Sequence, residues 1–238
     1  MSALVPISYG AAGARYTGYL ADGSSGAPAP GIVVAHEGGG LARHTRDRAA
    51  RLAELGYVAF ALDLYGEEEP PLERAMALGR ALRGDVARLR EIMGAGLAVL
   101  TAQGSVDRDR LAAIGYCMGG GAAIELARTG APLRAVVGFH SGFLPGTPEE
   151  NAAIRGKLLL CHGDADPIVG AAQRDAFLDE MREARVDWQL HLYGGVGHSF
   201  TNRDIDALGI EGFAYHAEAD RRSWAAMLDL FGEVLGTP

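Results

Sequence analysis

The segment Gly115-Tyr116-Cys117-Met118-Gly119 contains a thiol in a setting that suits nucleophilic chemistry. It follows an apolar run at 111–114, which predicts a short buried strand, and it precedes a helical stretch that reaches Arg128. The pattern matches the nucleophile elbow G-x-S-x-G with sulfur in place of oxygen, a sharp strand-to-helix turn that exposes its central side chain. A helix N-terminus also favours the thiolate, the form that attacks carbonyl carbons. The segment therefore predicts a nucleophile at Cys117.

A nucleophile at such a turn needs an acid and a histidine later in the chain, in that order. Beyond a predicted strand at 157–161, the following loop contains Asp164 and Asp166. We expect Asp166 to be the acid, with Asp164 as the alternative, although either residue could simply cap a helix or form a turn. A glycine-rich loop after the predicted strand 188–192 contains His198. The order Cys117, Asp166, His198 is that of an α/β-hydrolase triad.

The same chemistry needs two backbone N–H groups directed at the developing oxyanion. Met118, directly after the nucleophile, predicts one donor. The loop His36-Glu37-Gly38-Gly39-Gly40 predicts the other at Gly38, although a glycine run can also be a plain flexible turn. Glu37 is unusual there, because a carboxylate opposes negative charge formed beside it. It could hold the thiol, accept the thiol proton, or pair with a nearby arginine.

The elements that must position these residues alternate between strands and helices. The N-terminal segment 4–20 predicts a hairpin, and the later apolar runs predict strands at 31–36, 57–62, 111–115, 134–139, 157–161 and 188–192. Predicted helices cover 46–55, 72–103 with a break near Gly84, 118–128, 168–184 and 217–235. Unbroken apolar strands between helices indicate a mostly parallel sheet covered on both faces. We expect a single α/β-hydrolase domain over 1–238.

Composition narrows the function class. The chain has 238 residues, of which 48% are hydrophobic and 22% charged, which is typical of a globular domain without a membrane span. The net charge of −8 argues against a nucleic-acid partner. Two cysteines are too few for a disulfide scaffold or a thiolate zinc site. Since the N-terminus does not resemble a signal peptide, we expect a cytoplasmic protein, monomeric or a small homo-oligomer.

With these residues placed, the chain resembles the dienelactone hydrolase family of α/β-hydrolases over essentially its whole length. The matching segments are His36-Glu37, Leu62-Asp63-Leu64-Tyr65-Gly66, the cysteine elbow, Gly138-Phe139-His140-Ser141-Gly142, His162-Gly163-Asp164-Ala165-Asp166, Gly197-His198-Ser199-Phe200 and Ala219-Asp220-Arg221-Arg222-Ser223-Trp224. The resemblance implies a Cys117–His198–Asp166 triad. It also implies that Glu37 pairs with the nucleophile and helps to generate the thiolate when substrate binds. It implies no metal or organic cofactor.

The founding dienelactone enzymes hold the substrate carboxylate with two arginines, and the present chain departs from that pattern. Asn202 occupies the position four residues after His198, with Arg203 beside it, and Arg74 is a loose candidate for the second arginine. His140 is a further candidate substrate contact.

Acidic residues in Gly66-Glu67-Glu68-Glu69-Pro70 also lie where an anionic substrate would enter. We therefore expect a small ester or lactone other than dienelactone itself, hydrolysed through a thioester. An acyltransferase with the same triad, or a catalytically silent ligand-binding or regulatory protein, are the alternatives.

Overall fold

One eight-stranded sheet forms the centre of the computed structural model, which describes residues 3–238. Met1 and Ser2, which belong to the predicted domain, lie outside the described residues. The strands are β1 (Leu4–Ala11), β2 (Ala14–Asp22), β3 (Ala29–Ala35), β4 (Val58–Leu62), β5 (Val106–Tyr116), β6 (Leu133–Phe139), β7 (Lys157–Gly163) and β8 (Trp188–Tyr193). Their order across the sheet is β1-β2-β4-β3-β5-β6-β7-β8.

Strand directions confirm the predicted mostly parallel sheet. The pairs from β4 to β8 across the sheet are all parallel, whereas the N-terminal hairpin adds β1 and β2 in antiparallel orientation at one edge. Every residue of β3 and β4 is buried, as expected for apolar strands covered on both faces. The carboxyl ends of parallel strands meet at one edge of the sheet, and the loops that follow β3, β5, β7 and β8 contain the predicted catalytic residues.

Helices cover both faces of this sheet. They are α1 (Arg43–Glu54), α2 (Leu72–Arg83), α3 (Val86–Thr101), α4 (Met118–Arg128), α5 (Pro148–Ala152), α6 (Ala171–Glu183) and α7 (Ala217–Val234). Side chains alternate along β3, so Val33 packs in the core under α3 and α4 while Ile32 and Val34 pack under α1 and α7. No helix within residues 3–238 is both long and apolar enough to cross a membrane.

Several element boundaries differ from those predicted. Strand β5 begins at Val106 rather than at 111, because its first half consists of charged residues that hide the strand pattern. Helix α6 begins at Ala171 rather than 168, since the preceding residues form the loop around Asp166. The short helix α5 was not predicted, although Thr147 and Glu150 form a capping box at its start. The predicted break near Gly84 is confirmed between α2 and α3.

The turn from β5 into α4 depends on very close packing against β3. A Cβ atom at Gly119 would lie 2.4 Å from the carbonyl oxygen of Ala35 and 2.5 Å from that of His36. Both obstacles are backbone atoms at the end of a buried strand, so neither can move aside cheaply. Glycine is therefore required here because the first turn of α4 approaches the end of β3.

We predict that Gly119→Ala lowers the free energy of unfolding by about 3 kcal/mol or more, because the added methyl group meets backbone on two sides. Urea denaturation monitored by circular dichroism measures the change. Gly94→Ala is the matched control: Gly94 lies inside α3 with nothing within 4 Å of its would-be Cβ, so this substitution should stabilise by about 0.5–1 kcal/mol. Equal effects of the two substitutions would contradict the account of the turn.

Candidate active site

Cys117 lies at the junction of β5 and α4 in a strained backbone conformation. Its φ is +52° and its ψ is −117°, which is sparsely populated by residues other than glycine. Its backbone N–H donates to the carbonyl oxygen of Phe139 at 2.9 Å and also lies 3.1 Å from Nδ1 of His140. The side chain is half-buried. The strand–turn–helix context that the elbow motif requires is present, and it directs the thiol toward the edge of the sheet where the other loops meet.

Asp166 and His198 are brought into direct contact from two different loops. His198 Nδ1 lies 2.6 Å from Asp166 Oδ2, and both side chains are buried. The other oxygen of Asp166 accepts the backbone N–H groups of Ile168 at 2.8 Å and Val169 at 3.0 Å, which fixes the carboxylate orientation. Asp164, in contrast, is exposed, and its nearest cation is Arg174 at 4.0 Å. The carboxylate that contacts the imidazole is therefore Asp166.

The loop after β8 holds His198 by its backbone and by its ring. The His198 N–H donates to Gly212 O at 2.9 Å, and the His198 carbonyl accepts from Ala214 N at 3.3 Å. Its ring packs edge-on against Phe213, with a centroid separation of 4.8 Å. Ser199, the next residue, has a φ of +54°. These contacts leave the imidazole little freedom to turn away from Asp166.

The charge environment favours a protonated His198. Burial lowers its pKa, but the neighbouring Cys117 side chain and the hydrogen bond to Asp166 outweigh burial and raise the pKa to about 10. Although burial raises the pKa of Asp166, the contact with His198 holds that pKa below its usual value. His198 Nε2 is buried and has no hydrogen-bond partner within the described residues. The ring thus presents a free nitrogen in a setting that stabilises a positive charge beside the thiol.

Gly38 and Met118, the two residues predicted to donate to the oxyanion, both contact the Tyr65 hydroxyl. Met118 is the first residue of α4, a position where helix geometry leaves the backbone N–H without an intrahelical partner. A Cβ at Gly38 would meet nothing within 4 Å, so the loop is open at this point. The Tyr65 hydroxyl donates to Gly38 O at 2.9 Å and lies 3.6 Å from Met118 Sδ. No sequence motif assigns Tyr65 a role, because only the folded chain brings the loop after β4 to this position.

His36 organises the loop that contains Glu37 and Gly38. The Leu64 N–H donates to His36 Nε2 at 3.0 Å, so the ring proton is on Nδ1, which donates to Glu37 O at 2.6 Å. His36 is fully buried, and burial lowers its pKa to about 4. The neutral ring ties the loop after β3 to the loop after β4.

Glu37 turns its carboxylate toward the loop after His198. Its Oε2 accepts from Asn202 Nδ2 at 2.6 Å, and its buried Oε1 lies 3.7 Å from His140 Nε2 without a hydrogen-bond partner in residues 3–238. Burial raises its pKa. The implied pairing of Glu37 with the Cys117 thiol is therefore not formed in this structure, and no arginine within the described chain pairs with Glu37. Asn202, at the position where the founding enzymes have arginine, is its partner.

Of the three predicted substrate contacts, His140 contacts Cys117 from the buried side, whereas Arg74 and Arg203 have partners elsewhere. His140 is 0% exposed, and both of its ring nitrogens form hydrogen bonds. The prediction that it contacts substrate is therefore corrected: its side chain lies in the interior of the protein. Arg74 is exposed and paired with Glu67. Arg203 is exposed and stacks on Tyr215, with 5.2 Å from its guanidinium carbon to the ring centroid. A role in substrate binding stays a prediction for both arginines.

No group of three or more His, Cys, Asp or Glu side chains within residues 3–238 is placed to hold a metal ion.

The buried neutral His36 predicts a specific pH dependence of stability. Its pKa is about 4 in the folded chain and near 6.5 when exposed, so between these values only the unfolded state takes up the proton. Stability from this group is present above about pH 6.5 and is lost as the pH falls toward 4. The stability difference between wild type and His36→Asn should therefore shrink on acidification, by up to about 1.4 kcal/mol per pH unit. Urea denaturation at several pH values measures it; a difference that does not vary with pH would contradict this.

The two cysteines should differ sharply in reactivity. Cys161 is buried in β7, and burial raises its pKa to about 12, whereas Cys117 is half-buried beside His198. We expect iodoacetamide near neutral pH to label one cysteine per chain, and peptide mass spectrometry to locate the label on Cys117. The Cys161→Ala variant should label at the wild-type rate. Labelling of Cys161 as fast as that of Cys117 would overturn the assignment.

Comparisons with known proteins identify the family of this chain. The profile of the dienelactone hydrolase family matches residues 16–235. A Bradyrhizobium protein named probable 2-oxo-3-(5-oxofuran-2-ylidene)propanoate lactonase is 30% identical over 190 residues, which cover 75% of this chain and 76% of that protein. The solved structure of m3DLH is 45% identical, with a TM-score of 0.94 and 98% of each chain covered.

A second solved structure, the dienelactone hydrolase-like promiscuous phosphotriesterase P91 from metagenomic libraries, is 41% identical with a TM-score of 0.94. It covers 98% of this chain and 99% of its own. These similarities extend over the sheet, the elbow and the loops that meet at its edge. The chain belongs to the dienelactone hydrolase family and is an α/β-hydrolase-fold enzyme of the hydrolase class.

Proposed function

We propose that this enzyme hydrolyses a small carboxylic ester or lactone through a thioester on Cys117. The observation that supports this most strongly is the 2.6 Å contact between Asp166 and His198, beside a thiol at a helix N-terminus. These side chains come from loops after three different strands, and a purely structural role would not require them to meet. The same three groups in the same chain order perform acyl transfer on this fold.

In the proposed first step, the Cys117 thiolate attacks the carbonyl carbon while His198 is an imidazolium that holds its own proton, separate from the thiol proton. The N–H groups of Met118 and Gly38 stabilise the oxyanion of the tetrahedral intermediate. The intermediate collapses when the C–O bond to the leaving group breaks and His198 transfers its proton to the departing alkoxide. The products of this step are an alcohol and a thioester; in a lactone, the alcohol remains attached to the acyl chain.

Water completes the cycle. Neutral His198 takes a proton from water, the resulting hydroxide attacks the thioester, and the Cys117 thiolate departs from the second tetrahedral intermediate. The proton stays on His198, which restores the starting ion pair. Asp166 stabilises the imidazolium in both half-reactions, since its hydrogen bond keeps the ring oriented. A thiol nucleophile must remain reduced, which supports the predicted cytoplasmic location.

Glu37 is proposed to act before the first step. The Glu37 carboxylate would first accept the thiol proton and then turn to Asn202, which would leave the Cys117 thiolate paired with His198. The orientation of Glu37 toward Asn202 is the one observed. Burial raises the pKa of Glu37, which makes proton acceptance easier.

The relatives and the arginines support a proposal for the substrate class. The Bradyrhizobium relative is named a lactonase, which favours a cyclic ester. Arg74 pairs with Glu67, and Arg203 stacks on Tyr215, so neither forms a hydrogen bond or ion pair with the triad in residues 3–238. We therefore propose a substrate that does not depend on the two-arginine carboxylate clamp of the founding enzymes.

Replacing Cys117 with alanine should abolish turnover of p-nitrophenyl acetate and of simple lactones while the thermal midpoint changes little. Asp166→Asn should lower kcat by about 10²–10⁴-fold, because the imidazolium loses its partner. Cys161→Ala is the matched control and should keep kcat within about twofold, since Cys161 is buried in β7, outside the triad. Substantial activity in Cys117→Ala would exclude the proposed mechanism.

A further inference from the structure

We propose that His140 is a positioning residue that ties the nucleophile elbow to the loop containing His198. The inference rests on the proposed function, because it concerns the separation between the Cys117 thiol and the His198 imidazole. His140 Nδ1 lies 3.1 Å from the backbone N of Cys117, and its Nε2 lies 2.8 Å from Thr201 Oγ1. One ring therefore contacts both the nucleophile residue and a residue three positions after His198.

The donor and acceptor at each end follow from elementary chemistry. A backbone N–H can only donate, so His140 Nδ1 accepts from Cys117. The proton of the neutral ring is then on Nε2, which donates to the Thr201 hydroxyl. The two contacts of His140, with Cys117 N and with Thr201 Oγ1, form a hydrogen-bonded bridge. A protonated ring would direct an N–H at the N–H of Cys117 and break this bridge. Burial lowers the pKa of His140 well below its usual value, and the neighbouring His198, His44, His162 and Arg48 lower it further.

Thr201 is itself immobilised by a buried ion pair. The Thr201 carbonyl accepts from Arg48 Nη2 at 2.7 Å, and the same nitrogen lies 2.7 Å from Asp220 Oδ1. The Arg48 and Asp220 side chains are each only 9% exposed. Arg48 belongs to α1 and Asp220 to α7, so the far end of the bridge is anchored to two helices. His140 consequently connects the elbow to a fixed point and not to a mobile loop.

The backbone of His140 indicates that this orientation is imposed. Its φ is +41°, in the left-handed region that residues other than glycine enter only occasionally, and the surrounding structure maintains it. Its N–H donates to Cys161 O at 2.8 Å, at the end of the neighbouring strand β7. The ring also packs edge-on against the His198 ring, with 5.2 Å between centroids. Strain at this position orients the imidazole between the two catalytic segments.

The bridge sets a distance on which catalysis depends steeply. A misplacement of about 1 Å between reacting groups can cost on the order of 100-fold in rate. If the bridge is cut while the fold remains, the thiol and the imidazole should drift relative to each other. The loss should then appear in kcat and not in KM, because His140 is buried and does not touch substrate.

Paired variants separate positioning from packing. Thr201→Val removes, at nearly constant volume, the hydroxyl that accepts from His140 and that also lies 3.3 Å from His44 Nε2, and Thr201→Ser keeps a hydroxyl. His140→Asn keeps an acceptor near the Nδ1 position but cannot reach Thr201, and His140→Gln keeps a donor near the Nε2 position. Thr101→Val in α3 is the matched control, because it removes a hydroxyl that only bonds its own helix.

The measurements are kcat and KM for p-nitrophenyl acetate, the iodoacetamide labelling rate of Cys117, and the thermal midpoint. We expect Thr201→Val and His140→Asn each to lower kcat by about 10–100-fold with KM unchanged within about twofold. Thr201→Ser should restore most of the activity, and Thr101→Val should behave as wild type. The kcat of the double variant Thr201→Val/His140→Asn should not fall below that of the less active single variant, because both substitutions break the same hydrogen-bonded link.

Wild-type kcat in Thr201→Val and His140→Asn, with only a lower thermal midpoint, would overturn the positioning role. Fully additive losses in the double variant would also overturn it. The proposed function is tested separately by Cys117→Ala. If that variant is inactive and Thr201→Val matches wild type, only the positioning inference fails; if Cys117→Ala retains activity, the proposed function itself fails.

Discussion

The strained turn at Cys117 is the constraint on which the rest of the site depends. A φ of +52° between β5 and α4 turns the chain sharply, places Met118 at the first position of the helix and brings the Cys117 N–H to 3.1 Å from His140 Nδ1. The turn persists because buried β3 lies against Gly119 and because the Cys117 N–H donates to Phe139. Relaxing that turn would displace the Cys117 thiol and the Met118 N–H and break the contact between Cys117 and His140 at once.

Burial and neighbouring charge together select one imidazole to carry a proton. Burial lowers the pKa of His36 to about 4 and lowers the pKa of His140 and His44 as well, so these rings are neutral hydrogen-bonding ties. His198 is buried too, yet Asp166 and the Cys117 thiol raise its pKa to about 10. Because the neighbouring histidine rings are neutral, they do not repel a positive charge on His198. The site thus combines uncharged supporting rings with one imidazole, His198, whose surroundings favour its protonated form.

Sequence patterns predicted what depends on local order, and they missed what depends on contacts between distant segments. The elbow motif, the glycine loop at His198 and the apolar strands are local signals, and the fold class they predicted is confirmed. The contacts of Tyr65 and Asn202, and the interior position of His140, arise only when loops from different strands meet. The charged residues at the start of β5 concealed the strand in the sequence, and there only Val106 and Asp107 pair with β3 before a register shift at 108–110.

The central claim is that the Cys117 sulfur becomes acylated during turnover. Rapid acid quench of the enzyme during reaction with p-nitrophenyl acetate, followed by peptide mass spectrometry, tests it most directly. The account predicts one acetyl group on the peptide containing Cys117, bound as a thioester and released by neutral hydroxylamine. An acetyl group on any other residue, or rapid product formation with no acetylated Cys117 at any quench time, would contradict it.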